Sequence, residues 1–371
     1  MAVVSGRTIA QAVKPQVATL VPYSPGKPIH EVQRELGLTD VIKLASNENP
    51  FGPAPAVVAA VRAAVPDIGY YPDAGAVDLR QALAAQHGVT IDHLSVGNGS
   101  DEILQLLGIA VLDRGDELVI ADPTFARYEP QAVLHQAVAV KVPLRDYVHD
   151  VEAMAAAVTA RTKAIFIANP ANPAGTFVPD TAIEWFLDQV PEHVLVVLDE
   201  AYYEFIDHPD SGRTQAMSLA RPNVVILRTF SKIHALAALR VGYALAPPPL
   251  IRWLEQVREP FNVNSLAQVA ALSALTDTEH VAMTIAANAQ GRQRYLDACA
   301  ELGVRAVPSQ ANFVLIDCGG PDQPVYQALL RRGVIVRACT PLGLPGHIRV
   351  TVGTPEQCER FVEAFAAVLK G

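Results

Sequence analysis

The segment R-T-F-S-K-I-H-A-L-A-A-L-R (228–240) holds the only lysine between Ala164 and Leu369, a stretch in which arginines are frequent. Lysine and arginine serve a surface about equally well. Only lysine can lose its proton in a suitable pocket and act as a nucleophilic amine toward a carbonyl. Thr229 and Ser231 place hydroxyls next to Lys232, and Arg240 follows in the same segment. A guanidinium, hydroxyls and free helix-start amides together cradle a phosphate. G-N-G-S-D-E (97–102) brings Gly99, Ser100 and Asp101 to such a helix start, although a turn of this kind also serves as a plain capped helix. Asp199 ends the apolar run V-L-V-V-L, where a carboxylate needs a cation or a capping role because burying it unpaired is costly. Tyr202 adds a phenol nearby and Asn172 an amide. An amine, a phosphate cradle, a carboxylate for a ring cation, and a phenol and amide for a ring oxygen match the requirements of pyridoxal 5′-phosphate. That cofactor works as an electron sink while its ring nitrogen stays protonated. Phe125 would stack on the ring, and an aromatic there is equally ordinary packing.

These residues must be held by regular elements. Short continuous apolar runs at His93–Val96, Glu117–Ala121, Ala164–Ala168, Val194–Leu198 and Val224–Leu227 read as strands buried on both faces. Helix-period stretches such as Glu102–Leu112 and Thr181–Gln189 lie between them, which predicts an α/β unit with a mostly parallel sheet. The polar clusters all follow the runs, so they converge on the crevice at the carboxyl ends of the strands. The prolines of Ala246–Pro249 suggest a boundary, beyond which strands Phe313–Asp317, Val334–Arg337 and Ile348–Val352 alternate with helices. Thr354, Pro355 and Glu356 mark the start of the last helix. The expected organisation is an arm over 1–43, a large cofactor-binding domain over 44–248 and a smaller α/β domain over 249–371.

Half of the 371 residues are hydrophobic and 18% are charged, as in a globular protein. A net charge of −9 argues against nucleic acid or an anionic membrane as partner. Cysteines at 299, 318, 339 and 358 are too widely spaced for a zinc site and suit reduced thiols, so a cytoplasmic protein without bound metal is expected.

Ordered motifs along nearly the whole chain carry a resemblance. They are V-P-Y-S-P-G-K-P (21–28), L-A-S-N-E-N-P-F-G-P (44–53), Y-P-D (71–73), G-N-G-S-D-E, P-T-F-A-R-Y (123–128) and N-P-A-N-P-A-G (169–175). D-E-A-Y (199–202), R-T-F-S-K (228–232), S-Q-A-N-F (309–313) and I-R-V-T-V-G-T (348–354) complete the series. The chain resembles the fold-type I aminotransferases that use pyridoxal 5′-phosphate, and within them the histidinol-phosphate aminotransferase family. The resemblance implies transfer of an amino group from histidinol phosphate to 2-oxoglutarate. It makes Lys232 the covalent anchor and acid/base, with Asp199 on the pyridine nitrogen, Asn172 and Tyr202 on the ring oxygen, and Phe125 over the ring. Gly99, Ser100, Asp101, Thr229, Ser231 and Arg240 map to the phosphate. Tyr71 matches a tyrosine that reaches the neighbouring subunit's site, implying a homodimer. Arg349 receives the substrate's anionic group, with Arg337, Tyr23 and Asn47 as further contacts.

The chain departs from the family at Ala171 and Ala174, at Ala235 and Ala238 (where glycines are common) and at His234. None of these removes a catalytic group, but the segment after the lysine lies beside the pocket. An aromatic amino-acid aminotransferase shares these motifs, and a threonine-phosphate decarboxylase-like lyase shares the lysine and the aspartate. An aminotransferase-like regulator would need a DNA-binding domain, for which the short arm leaves no room.

Overall fold

A computed structural model describes residues 9, 12–22 and 26–370. A short strand, Ile42–Lys43 (β1), is followed by the seven that form the main sheet. These are Leu94–Gly97 (β2), Glu117–Asp122 (β3), Val138–Pro143 (β4), Thr162–Ala168 (β5), Leu195–Asp199 (β6), Val224–Thr229 (β7) and Gly242–Leu245 (β8). Their spatial order is β2-β8-β7-β6-β5-β3-β4. Strands β3 to β7 pair in parallel, whereas β8 runs antiparallel to both of its neighbours.

Continuous apolar runs make the central strands because both faces are covered. Ile165, Ile167, Val196, Leu198, Val224 and Ile226 enter one core, and Ala164, Phe166, Leu195, Val197, Val225 and Leu227 the other. Each large aliphatic side chain buried this way contributes roughly 1.5–3 kcal/mol. The five expected runs all form strands, extended or shifted by a residue or two. Strands β4 and β8 were not anticipated. β4 is a largely exposed edge strand interrupted by Lys141, and β8 is only four residues long.

The second assembly contains Ala306–Val307 (β9), Phe313–Asp317 (β10), Val334–Ile335 (β11), Arg337–Ala338 (β12) and His347–Thr351 (β13). Strands β12-β13-β10-β9 form an antiparallel sheet, while β11 pairs in parallel with β1. The run expected at Val334–Arg337 is therefore split between two sheets. Helices Thr278–Glu301, Asp322–Arg331 and Pro355–Leu369 enclose the core around Tyr295, Val314, Val350 and Phe361. The last begins in a capping box, Thr354 accepting from the Gln357 amide and the Gln357 side chain accepting from Thr354 N–H. Helices Pro248–Val257 and Ser265–Ala274 lie beyond the proline run, yet they pack on the main sheet: Leu250, Ile251 and Leu254 join one of its cores, and Ala267, Ala270 and Ala271 the other.

Candidate active site

Strand parity sorts the polar residues at the strand ends. Asp199 continues the face of Val197, so its carboxylate enters the core that contains Tyr128. There it accepts from Tyr128 Oη–H at 2.7 Å and from Ala201 N–H at 3.2 Å. Among the described residues it forms no ion pair. Burial pushes its pKa up to about 6, against the opposing pull of the Tyr128 hydrogen bond. A buried anion supported only by neutral donors is a site for a cation.

The turn Gly97–Gly99 leads from β2 into helix Ser100–Val111. Gly99 has φ +75°, and a Cβ there would lie 2.5 Å from Arg240 Nη2, so glycine is required on two counts. Arg240 Nη2 stands 3.6 Å from Asp101 Oδ2. Thr229, Ser231 and Lys232 continue from β7 into a cavity of about 270 Å³, which Ser100, Asp101 and Arg240 also line. Lys232 Nζ lies 5.7 Å from the centroid of the Tyr202 ring. Burial, then the Arg349 cation, lowers its pKa to about 8.

Tyr202 Oη accepts hydrogen bonds from Asn47 Nδ2 at 2.9 Å and Asn172 Nδ2 at 3.2 Å. Asn172 Oδ1 in turn accepts from Arg349 Nη1 at 2.6 Å, and Arg349 Nη2 donates to Ala45 O. Arg349 Nε is buried without a partner. Arg337 and Arg349 are directly opposed residues of β12 and β13, and both line the cavity. Side chains opposed in this way share a face, and two like charges there are unfavourable without an anion. Neither arginine forms an ion pair among the described residues.

The fold thus gathers Asn47, Ser100, Asp101, Phe125, Asn172, Asp199, Tyr202, Thr229, Ser231, Lys232, Arg240, Arg337 and Arg349 on one cavity, with Gly99 directly behind it. Tyr71 is not among its lining residues; it is 82% exposed and stacks on Phe261 at 4.6 Å. Tyr23 falls outside the described residues. Tyr128 and Glu48 went unrecognised in the sequence. Tyr128 ends a recognised motif, but its partner is 71 residues away. Glu48 also lines the cavity, and its side chain pairs with Lys43.

The departures have local causes. Ala171 and Ala174 are buried in an apolar cluster with Val307, Leu315, Cys339 and Leu344, where a polar side chain would lack partners. His234 packs against Phe230 with ring centroids 5.0 Å apart and planes tilted by 34°, and burial lowers its pKa to about 4, so it is a packed neutral ring. Ala235 takes φ +58°, the conformation that glycine adopts without strain.

The aminotransferase class I and II family model matches residues 39–365. The chain belongs to this family, in its histidinol-phosphate aminotransferase branch. It is 49% identical to histidinol-phosphate aminotransferase of Moorella thermoacetica over 95% of this chain and 92% of that one. With histidinol-phosphate aminotransferase 2 of Carboxydothermus hydrogenoformans the identity is 45%, over 96% and 99%. Among solved structures, the histidinol-phosphate aminotransferase of Sinorhizobium meliloti in complex with pyridoxal 5′-phosphate superposes with a TM-score of 0.88 at 29% identity, covering 96% of this chain and 97% of that one. Aspartate aminotransferase of Thermus thermophilus with maleate gives 0.82 at 26% identity, over 96% and 99%. The protein is a pyridoxal-phosphate-dependent transaminase of fold type I. Its cavity fits the cofactor, because the uncompensated Asp199, the amine of Lys232 and the cradle at Ser100 and Arg240 are the complements of a pyridinium, an aldehyde and a phosphate.

Proposed function

We propose that the protein transfers the amino group of histidinol phosphate to 2-oxoglutarate, giving imidazole-acetol phosphate and glutamate. The observation carrying this reading is the opposed pair Arg337 and Arg349. Histidinol phosphate has no carboxylate, so its phosphate is the one group that two guanidiniums without an ion-pair partner among the described residues can grip. In the second half of the cycle the same pair takes a carboxylate of the oxo acid.

The bound cofactor supplies the electron sink. Ser100, Asp101, Thr229, Ser231 and Arg240 hold its phosphate, Gly99 leaving the room they need. Asp199 keeps a proton at the ring nitrogen, Asn172 and Tyr202 orient the ring oxygen, and Phe125 covers the ring. Lys232, poised near neutrality by burial, is the covalent anchor and moves the proton at the substrate carbon that bears nitrogen. Asn47 braces Tyr202. Tyr71, exposed on its own subunit, reaches the site of a second copy, so the working unit is a homodimer. Four cysteines without disulfides support a reducing, cytoplasmic setting. The large unit, expected to end at 248, extends to about 277 because the two following helices complete its cores; the smaller unit runs from there to the C-terminus, with the arm over 1–43 adding a strand to it.

Values of kcat/KM with 2-oxoglutarate test the substrate. Histidinol phosphate should exceed phenylalanine, tyrosine and O-phosphothreonine by roughly 100-fold or more. Preference for phenylalanine would overturn the choice.

A further inference from the structure

Parity at the strand ends also creates a second arrangement behind the site. Asp199 and Thr229 share one face of the main sheet, so Glu200 and Arg228 lie on the other. Both are nearly inaccessible, at 2% and 6% exposure. Arg228 Nε–H donates to Glu200 Oε2 at 2.9 Å, and Nη2 makes a 2.8 Å ionic contact with the same oxygen, off the hydrogen-bond axis. The guanidinium carbon sits 3.6 Å above the Tyr203 ring. The backbone supports the link, Glu200 N–H donating to Leu227 O at 2.9 Å. Each ion directly follows or precedes a residue of the cavity: Glu200 follows Asp199, and Arg228 precedes Thr229. An ion pair this deep gives little net stability, since the desolvation of both charges offsets their attraction. Its location asks for another role.

We propose that Glu200 and Arg228 are a positioning pair that fastens β6 to β7 behind the site, setting the Asp199 carboxylate relative to the Thr229–Lys232 turn and balancing the charge behind it. The inference rests on the roles given above to Asp199 and Lys232. The other groups facing the pair are Glu204, Tyr203, Tyr243 and His87 on the arginine side and Thr214 and Asp180 on the glutamate side. Tyr243 is the residue opposed to Arg228 on β8.

The test uses the pyridoxal-phosphate-loaded protein and compares E200Q with R228M. Readouts are the pH midpoint of the lysine-bound cofactor's absorbance, the dissociation constant of the cofactor, and the melting temperature. Removing the anion leaves Arg228 uncompensated and lowers the midpoint. Removing the cation leaves Glu200 and raises it. Shifts of opposite sign, with kcat reduced roughly 10- to 100-fold and KM little changed, are the expected result. Shifts in the same direction, or none, with losses that follow melting temperature alone, would overturn the proposal and leave a purely structural pair. If either variant fails to fold, E200D and R228K keep the charges but alter the geometry. They should then retain the wild-type midpoint and lose kcat; unchanged kcat would refute positioning. Failure of the underlying reading is separate, because it would appear as turnover persisting in Lys232→Ala.

Discussion

Replacing Tyr128 by phenylalanine isolates one hydrogen bond at the base of the cavity. Tyr128 is fully buried, and its hydroxyl donates to Asp199 Oδ2 at 2.7 Å, leaving the Ala201 amide as the other donor to that carboxylate. Asp199 in the apoprotein titrates at about 6 rather than 3.8, chiefly through burial. Because the folded value is raised, its contribution to stability is fully present below the ordinary carboxylate range and is lost as the pH climbs through about 6. At about 1.4 kcal/mol per pKa unit, ionised Asp199 costs the apoprotein about 3 kcal/mol at pH 8. A hydrogen bond to a charged acceptor is worth roughly 1.5–3 kcal/mol, so its loss should raise the carboxyl by a further 1–2 units or so. Cofactor binding uses the ionised form, and its acid limb should move upward with that pKa. The assay is the dissociation constant of pyridoxal 5′-phosphate from pH 5 to 9, wild type against Tyr128→Phe. Titrations of the cofactor itself are common to both proteins and cancel in the difference. An acid limb that stays in place, with the variant folded, would refute the account of Asp199 as an anion balanced by Tyr128.

Two further outcomes are expected. Lys232 of the apoprotein should capture pyridoxal with a pH midpoint near 8, and Arg349→Gln, which removes the second cause of that low value after burial, should move the midpoint upward; an unmoved midpoint counts against proximity of the two charges. Ala235→Gly should raise the melting temperature by about 1–3 °C, since alanine at φ +58° costs roughly 1 kcal/mol that glycine avoids; a fall would show that the left-handed turn carries no strain.

Much of this molecule could be read locally. The lysine isolated among arginines and the aspartate closing an apolar run declare their chemistry by residue type and immediate context. Continuous apolar runs identify the central strands because burial on both faces leaves no alternation, and the polar residues that follow them are carried to one rim of the sheet. The edge strand β4, broken by Lys141, and β8, which opens on Gly242 and runs straight into the prolines at 247–249, are not marked out as strands by their composition. What the sequence could not decide is which distant residues meet. Tyr128 reaches Asp199, Asn47 reaches Tyr202 across 155 positions, and Arg337 faces Arg349 only through the register of β12 on β13. Periodicity encodes how a segment presents its faces. Which face then meets which neighbour is settled by packing and strand pairing across the whole chain. The lysine's chemistry was therefore determined by the sequence, whereas the hydrogen bond that holds its aspartate and the pairing of the two arginines were decided by tertiary structure.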